Sequence, residues 1–158
     1  DGFKGTTTSK IAATAGVSEG LIFRHFGNKD GLLKAIIQKG NEQAEHLFSP
    51  VIAAPSAVES IIRFIELPLE TTKNTQAVAF WKLQYKLKWE LEFYEQDKMT
   101  AVKAKLADSL QQLNYPNHQA EADLLLTIVD GLVTRYLLQP EFDLKAATTH
   151  LIFKYQLK

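Results

Sequence analysis

The 158-residue sequence contains no cysteine, which excludes disulfide bonds, thiolate metal sites and a cysteine nucleophile. It also contains no apolar run near the roughly 20 residues that span a bilayer, so no membrane-spanning helix is predicted. Its formal net charge is zero. Because a chain without cysteine fits a reducing compartment, we expect a cytoplasmic protein that has no membrane partner.

The zero net charge hides an uneven distribution of charged residues. Residues 1–40 contain six basic and three acidic side chains, whereas the remaining residues contain twelve basic and fifteen acidic ones. An excess of positive charge at one end of a chain is typical of a region that meets an anionic partner. Ordinary scatter of surface charge is the alternative, so the charge alone does not identify that partner.

Helical spacing of apolar residues and capping signals account for nearly the whole sequence. We predict helices over residues 7–15, 19–26, 29–48, 56–72, 75–93, 95–113, 118–138 and 143–157. The expected N-caps and helix stops are Ser18, Asn28, Asp143, Gly16 and Gly27. We expect Pro50 to end one helix and Pro68 to kink or end another. No stretch alternates with period two, so the predicted fold class is all-α.

Two of the short predicted helices are joined by the sequence AGVS, residues 15–18, and have the outline of a helix-turn-helix. In this motif a glycine turns the chain sharply, and the second helix presents its outer face to the major groove of DNA. We expect Ile22 and Phe26 to face the core, and Phe23 and Arg24 to lie on the exposed side. An exposed phenyl ring favours a partner such as a thymine methyl group, although completion of a local core is the alternative.

The stretch TTTSKIAATAGVSEGLIFRHFGNKDGLLKAII, residues 6–37, resembles the DNA-binding region of TetR-type (tetracycline-repressor-like or AcrR-like) transcriptional regulators. The matching positions are Thr7, Thr8, Ile11, Ala12, Gly16, Val17, Ser18, Gly20, Phe23, His25, Phe26, Lys29 and Leu32. The family usually has tyrosine at the position of Phe23, so the contact expected there is apolar. The family also has a first helix ahead of the point where this sequence begins, and we expect an N-terminal segment that carries it.

The resemblance implies a set of DNA-contacting residues. Those implied in contacts to the DNA backbone are Thr7, Thr8, Lys10, His25 and Lys29. Those implied in facing the base edges are Ser9, Glu19, Gly20, Leu21, Phe23 and Arg24. Arg24 is expected either to contact guanine in a bidentate manner or to bind a phosphate. For each lysine a solvated surface charge is the alternative, and for His25 it is a structural role.

The resemblance also implies a division of the chain into two regions. Residues 1–48 form the helix-turn-helix DNA-binding region with its connecting helix over 29–48, and residues 49–158 form a helical ligand-binding and dimerisation domain. Trp81, Tyr85 and Trp89 lie four residues apart on one helical face. Together with Phe64 they are the predicted lining of a pocket for a small-molecule effector of unknown identity. A core seam of aromatic residues is the alternative.

The stretch LLLTIVDGLV, residues 124–133, is apolar nearly all round, which a surface helix of a monomer should not be. Gly131 would permit another helix to approach closely. By resemblance to the family, the last two helices form the interface of a homodimer, and the predicted interface residues are Leu125, Ile128, Gly131, Leu132, Leu151 and Tyr155. Burial of these residues within one chain is the alternative.

The function implied by the resemblance is a ligand-responsive repressor. A dimer binds a pseudo-palindromic operator in double-stranded DNA, and a small-molecule inducer releases it. The alternative is a helical dimeric module that binds a ligand or a protein without binding DNA. An enzyme is not predicted, and neither a metal nor a cofactor is expected. The sequence has no catalytic triad order and no phosphate loop, and its histidines are scattered: His25, His46, His118 and His150.

Overall fold

The computed structural model describes residues 2–92 and 97–157, apart from the side chains of Asp97 and Lys98. Over these residues the chain forms nine helices and no strand, so the all-α prediction is confirmed. The helices are α1 (Gly2–Gly5), α2 (Thr8–Ala15), α3 (Glu19–Phe26), α4 (Lys29–Ile52), α5 (Ala57–Thr72), α6 (Thr75–Glu90), α7 (Asp97–Gln112), α8 (His118–Leu138) and α9 (Leu144–Lys154).

The predicted caps begin and end the helices where the sequence indicates. The Ser18 hydroxyl accepts the backbone N–H of Leu21 at 3.2 Å, and the Asp143 carboxylate accepts that of Ala146 at 2.8 Å. Gly16 ends α2 in the left-handed conformation, with φ at 69°, which glycine adopts at little cost. These interactions span only three or four residues, and this is why local sequence reveals them.

Helix α4 is longer than the sequence predicts, because Pro50 lies inside it and does not end it. A proline cannot donate a hydrogen bond to the carbonyl four residues earlier, here that of His46. The Ser49 hydroxyl donates to this carbonyl instead, at 3.0 Å, so the proline leaves no unpaired acceptor. Pro68 likewise lies within α5, which continues to Thr72. The predicted helix ends at residues 93 and 95 fall outside the described residues.

The chain forms two compact units that do not follow a single cut in the sequence. Among the described residues, the first unit comprises 2–44 and 83–92, and the second comprises 45–82 and 97–157. In the first unit α2 packs against α3, and the C-terminal part of α6 belongs to the same unit. The predicted boundary after residue 48 therefore separates two proposed functional regions and does not coincide with the boundary between the compact units.

The second unit has a core built around α5. This helix packs against α7, α8 and α9, while α8 packs against both α7 and α9. Its most deeply buried large side chains include Ile61 and Ile65 of α5, Leu106 and Leu110 of α7, and Leu125 of α8. Full burial of a leucine or isoleucine stabilises a fold by about 1.5–3 kcal/mol. These residues therefore hold the helical body together.

A polar cluster closes the C-terminal end of this core. The buried Tyr155 donates its hydroxyl to the Glu121 carboxylate at 2.6 Å, and the Tyr115 hydroxyl donates to the backbone carbonyl of Tyr155 at 2.8 Å. The pKa of the Tyr155 hydroxyl is raised well above its ordinary value. Burial is the larger cause, and the hydrogen bond to Glu121 is the second. The phenol thus stays protonated and ties the end of α9 to α8.

Candidate nucleic-acid interface

Helices α2 and α3 form a compact helix-turn-helix. The backbone N–H of Gly16 donates to Ala13 and that of Val17 to Ala12, which closes the end of α2 and turns the chain toward the Ser18 cap of α3. Ala12 and Ile22 are the buried residues of the two packed helices. The predicted inward position of Ile22 is confirmed. Burial of this one face leaves the opposite face of α3 at the surface.

The outer face of α3 carries an exposed aromatic and an exposed cation. Phe23 is 47% exposed, as predicted, and Gly20, Arg24 and His25 are also exposed. Among the described residues Arg24 has no hydrogen bond or ion pair, so its guanidinium is available to a partner. A Cβ added at Gly20 would meet nothing within 4 Å. No packing within the chain requires glycine there, which leaves the face open.

Phe26 differs from the prediction, because it is exposed and does not face the core. It is the last residue of α3, and Ile22 is the only residue of that helix which the chain buries. The Phe26 ring lies 6.3 Å from that of His25, centroid to centroid. The two rings therefore form a small aromatic surface at the end of the helix. Leu21, proposed for an apolar DNA contact, is half-buried.

The first turn of α2 carries the residues expected to bind a phosphate. The Thr7 hydroxyl oxygen accepts the backbone N–H of Lys10 at 3.2 Å and keeps its own proton free to donate. Ser9 and Lys10 are exposed. The Thr8 hydroxyl differs from the expectation, because its single proton is donated to Glu19 at 2.6 Å and is not available to a phosphate.

Lys29 lies at the start of α4 and is half-buried. Its ammonium nitrogen is 4.4 Å from the centroid of the Phe3 ring, a cation–π distance. The aromatic ring restrains the lysine stem and leaves the positive charge in place. A lysine held in this way is a suitable point charge for a phosphate, although the structure itself contains no DNA.

Gly31 is a residue of this region that the sequence analysis missed. A Cβ at Gly31 would overlap the backbone carbonyl oxygen of Phe26, so only glycine permits this approach between the end of α3 and the start of α4. Its N–H donates to the Asn28 side chain at 2.8 Å, which confirms Asn28 as the cap of α4. Glycine is a poor helix former, so its presence in the first turn of α4 was the sequence signal that could have pointed to a close approach at Gly31.

Glu90 at the end of α6 holds the first described residues of the chain. The backbone N–H groups of Lys4 and Phe3 donate to its two carboxylate oxygens at 2.5 and 2.6 Å. These two hydrogen bonds lower the pKa of the Glu90 carboxyl below its ordinary value, and the bond from Lys4 has the larger effect. No sequence signal pointed to this pairing, because its partners are more than 80 residues apart.

The family model described as "Bacterial regulatory proteins, tetR family" matches residues 1–36, which contain this helix-turn-helix. Residues 1–36 therefore carry the DNA-binding region of this family. The match covers α1, α2, α3 and the first turns of α4, and it leaves the helical body without a family assignment of its own.

The chain resembles known proteins in part of its sequence and in its fold. The uncharacterised HTH-type transcriptional regulator YvkB of Bacillus subtilis (strain 168) is 50% identical over 38 residues, which are 24% of this chain and 20% of YvkB. The match thus spans about a fifth of the length of that relative. The crystal structure of a protein from Rhodococcus sp., described as a TetR-family transcriptional regulator, superposes with a TM-score of 0.75 over 96% of this chain and 86% of that one. Its sequence identity is 24%, so this likeness concerns the fold.

The predicted pocket residues have different environments. Phe64 is buried in the core cluster of the second unit. Trp81 and Tyr85 are half-buried on α6, and the Lys88 ammonium lies 5.5 Å from the Tyr85 ring centroid. Trp89 is 78% exposed, so the described residues do not enclose it, and its place in an effector pocket stays a prediction.

Three of the predicted dimer residues are also placed differently. Leu125, Leu151 and Tyr155 are buried in the core of their own chain and cannot meet a partner chain. Ile128 and Leu132 are half-buried and pack partly against that same core, whereas Gly131 is exposed. The large apolar side chains that remain exposed on α8 and α9 are Leu124, Leu138 and Phe153. Sequence periodicity missed Leu124 and Leu138, because α8 is apolar on both faces.

Neither a metal site nor a membrane span is found in the part of the chain that the structure describes. No group of three or more histidine, aspartate and glutamate side chains there has the arrangement to hold a metal ion. None of the described helices is long and apolar enough to cross a membrane.

Proposed function

We propose that this TetR-type chain is a transcriptional repressor that binds operator DNA through α3 and is released by a small-molecule inducer. The observation that carries the proposal is the outer face of α3, where exposed Phe23 and Arg24 flank an open Gly20. This face lies within the region that matches the TetR family. A transcriptional regulator of this kind is expected in the cytoplasm, with double-stranded DNA as its partner.

The proposed contacts divide into base readers and backbone anchors. Arg24 donates two hydrogen bonds to guanine O6 and N7, a contact worth about 1–3 kcal/mol of discrimination. Phe23 packs against a thymine methyl group or a sugar, because a phenyl ring cannot donate a hydrogen bond to a phosphate. Lys29 and the Thr7 hydroxyl hold the phosphate backbone. The remaining proposed contacts come from Ser9, Lys10, Leu21 and His25.

The proposed active form is a homodimer that joins through α8 and α9. Leu124, Leu138 and Phe153 are exposed on these two helices, and exposed Gly131 offers room for close approach of a partner helix. A Cβ at Gly131 would meet nothing within its own chain, which is consistent with a glycine that serves an intermolecular contact. A two-fold dimer carries two reading helices and therefore favours a pseudo-palindromic operator.

The proposed inducer is an organic molecule that binds among the aromatic residues of the middle helices, and Trp81 is the candidate that lies half-buried in the second unit. Release from DNA requires that the inducer bind the DNA-incompetent conformation more tightly than the competent one. The same coupling free energy then weakens DNA binding. Helix α4 is the proposed connection, because it begins at Lys29 beside the reading head and continues to Ile52.

The division into readers and anchors is tested by comparing Arg24→Ala with Lys29→Ala on a set of duplexes that differ by one base pair. We expect Arg24→Ala to relax preference at one position per half-site by about fivefold or more, the equivalent of about 1 kcal/mol. Lys29→Ala should weaken binding to all duplexes alike and reduce the slope of log affinity against log salt by about two, one for each chain of the proposed dimer. Fluorescence anisotropy over a salt series measures both effects.

Lys34→Ala is a matched control, because Lys34 is an exposed lysine on the same helix as Lys29. We expect it to behave like the unsubstituted chain. Identical behaviour of Arg24→Ala and Lys29→Ala would contradict the assigned roles.

A further inference from the structure

One side-chain hydrogen bond crosses the helix-turn-helix. The Thr8 hydroxyl in the first turn of α2 donates to Oε1 of Glu19 in the first turn of α3, at 2.6 Å. Both residues are half-buried, so water competes only partly for this bond. Because a hydroxyl carries a single proton, Thr8 is fully committed as a donor. The bond therefore fixes the orientation of the Glu19 carboxylate.

The second oxygen of this carboxylate remains available. Among the described residues, Oε2 of Glu19 has no hydrogen-bond or ion-pair partner. Glu19 lies four residues before Phe23 and next to Gly20, so it shares the outer face of α3 with them. An ionised carboxylate can accept hydrogen bonds but cannot donate them. This face thus presents one acceptor-only group at a fixed place.

We infer that Glu19 selects a cytosine in each half-site through its free oxygen, and that Thr8 is the positioning residue that aims it. The inference rests on the proposed function of α3 as the reading helix. In the major groove cytosine offers its N4 amine as a donor, whereas guanine and thymine offer the acceptors O6 and O4. Adenine offers the N6 donor beside the N7 acceptor, which repels a carboxylate. A carboxylate is therefore matched to cytosine.

The negative charge of Glu19 makes the selection strict. Every DNA sequence places phosphates near the reading helix, and their repulsion of Glu19 does not depend on sequence. Only a base with an exocyclic amine supplies a hydrogen bond that offsets this repulsion. Opposite a keto oxygen the desolvated carboxylate would be left without a donor. The Thr8–Glu19 pair thus adds specificity rather than affinity.

The test is selection of bound duplexes from a random pool by the unsubstituted chain and by four variants. The unsubstituted chain should enrich cytosine at one position of each half-site by roughly tenfold. Glu19→Gln should lose that preference and favour guanine or thymine, because the amide can accept from Thr8 and donate its N–H to a keto oxygen. Thr8→Val should weaken the cytosine preference, and Thr8→Ser should retain it.

Thr14→Val is the matched control. Thr14 lies in the same helix, and its hydroxyl donates to the Lys10 carbonyl, away from Glu19. This variant should keep the base profile of the unsubstituted chain. Far-ultraviolet circular dichroism and the melting temperature are measured for each variant, and if Thr8→Val fails to fold, the comparison of Glu19→Gln with the unsubstituted chain decides the question.

An inverted repeat that keeps the same base profile in Glu19→Gln and Thr8→Val would overturn the inference and leave the proposed function intact. A pool that the unsubstituted chain does not enrich at all would overturn both. Loss of affinity in Thr8→Val with an unchanged base profile would show that the pair only supports the fold, and this would also overturn the inference.

Discussion

Replacing Leu138 and Phe153 together with glutamate should convert the chain to a monomer and lower its operator affinity about 10²–10⁴-fold, the gain that linking two binding sites typically provides. The two side chains are 75% and 66% exposed, so the chain itself does not need them for its core. In a two-fold interface each substitution is present on both chains, which places several carboxylates in an apolar contact. The fold should remain intact.

Analytical ultracentrifugation gives the oligomeric state, and anisotropy with a two-half-site duplex gives the affinity. Gln111→Glu together with Gln119→Glu adds the same charge at exposed positions of α7 and α8, and this control should remain dimeric. A Leu138→Glu, Phe153→Glu double variant that stays dimeric and keeps full operator affinity would contradict the proposed interface.

Gly31→Ala should both destabilise the chain and reduce its DNA binding. The added methyl group would overlap the carbonyl oxygen of Phe26, and a backbone atom cannot move aside as a flexible side chain can. Overpacking of this kind costs about 1–3 kcal/mol. The strain should shift the end of α3 relative to α4, which misplaces the reading helix. If two base contacts of about 1–3 kcal/mol each are lost, affinity falls about 30-fold or more.

Gly20→Ala is the matched control for the stability effect of this substitution. Gly20 lies inside α3 with open space around it, so alanine there should raise the free energy of unfolding by about 1 kcal/mol. Urea denaturation followed by circular dichroism measures both variants. If Gly31→Ala is as stable as the unsubstituted chain, the close approach of α3 and α4 is not required by the fold.

Sequence reasoning succeeded where the interactions are local. The caps of α3, α4 and α9 each join residues three positions apart, and the glycine stops act within one turn. Helix caps and glycine stops depend on a few residue types at fixed positions, so they can be predicted from the sequence. The position of Phe23 on the outside of α3 was predictable for the same reason, because helical periodicity determines its face once Ile22 is placed inward.

Sequence reasoning failed where two apolar faces compete for the same core. Helix α8 is apolar on both sides, and periodicity does not tell which side packs inside the chain. Leu125 was predicted for the dimer and lies in the core, whereas Leu138 was not predicted and is exposed. Pro50 is a failure of another kind, since the Ser49 hydroxyl compensates for the hydrogen bond that the proline removes.

Contacts between residues distant in sequence also escaped prediction. Glu19 was predicted to face the base edges, but its bond to Thr8 depends on how the two helices pack. Gly31 depends in the same way on the approach of the Phe26 carbonyl. Both contacts depend on how the helices pack, so local sequence does not predict them.

The central claim is that the outer face of α3 reads DNA sequence as part of a two-fold dimer. It is tested most directly by selection of duplexes from a random pool with the unsubstituted chain. We predict enrichment of one half-site in two inverted copies, with centres about 10 base pairs or a multiple of that apart. Binding to the selected duplex should weaken steeply as salt rises. A pool that shows no sequence preference even at low salt would contradict the claim.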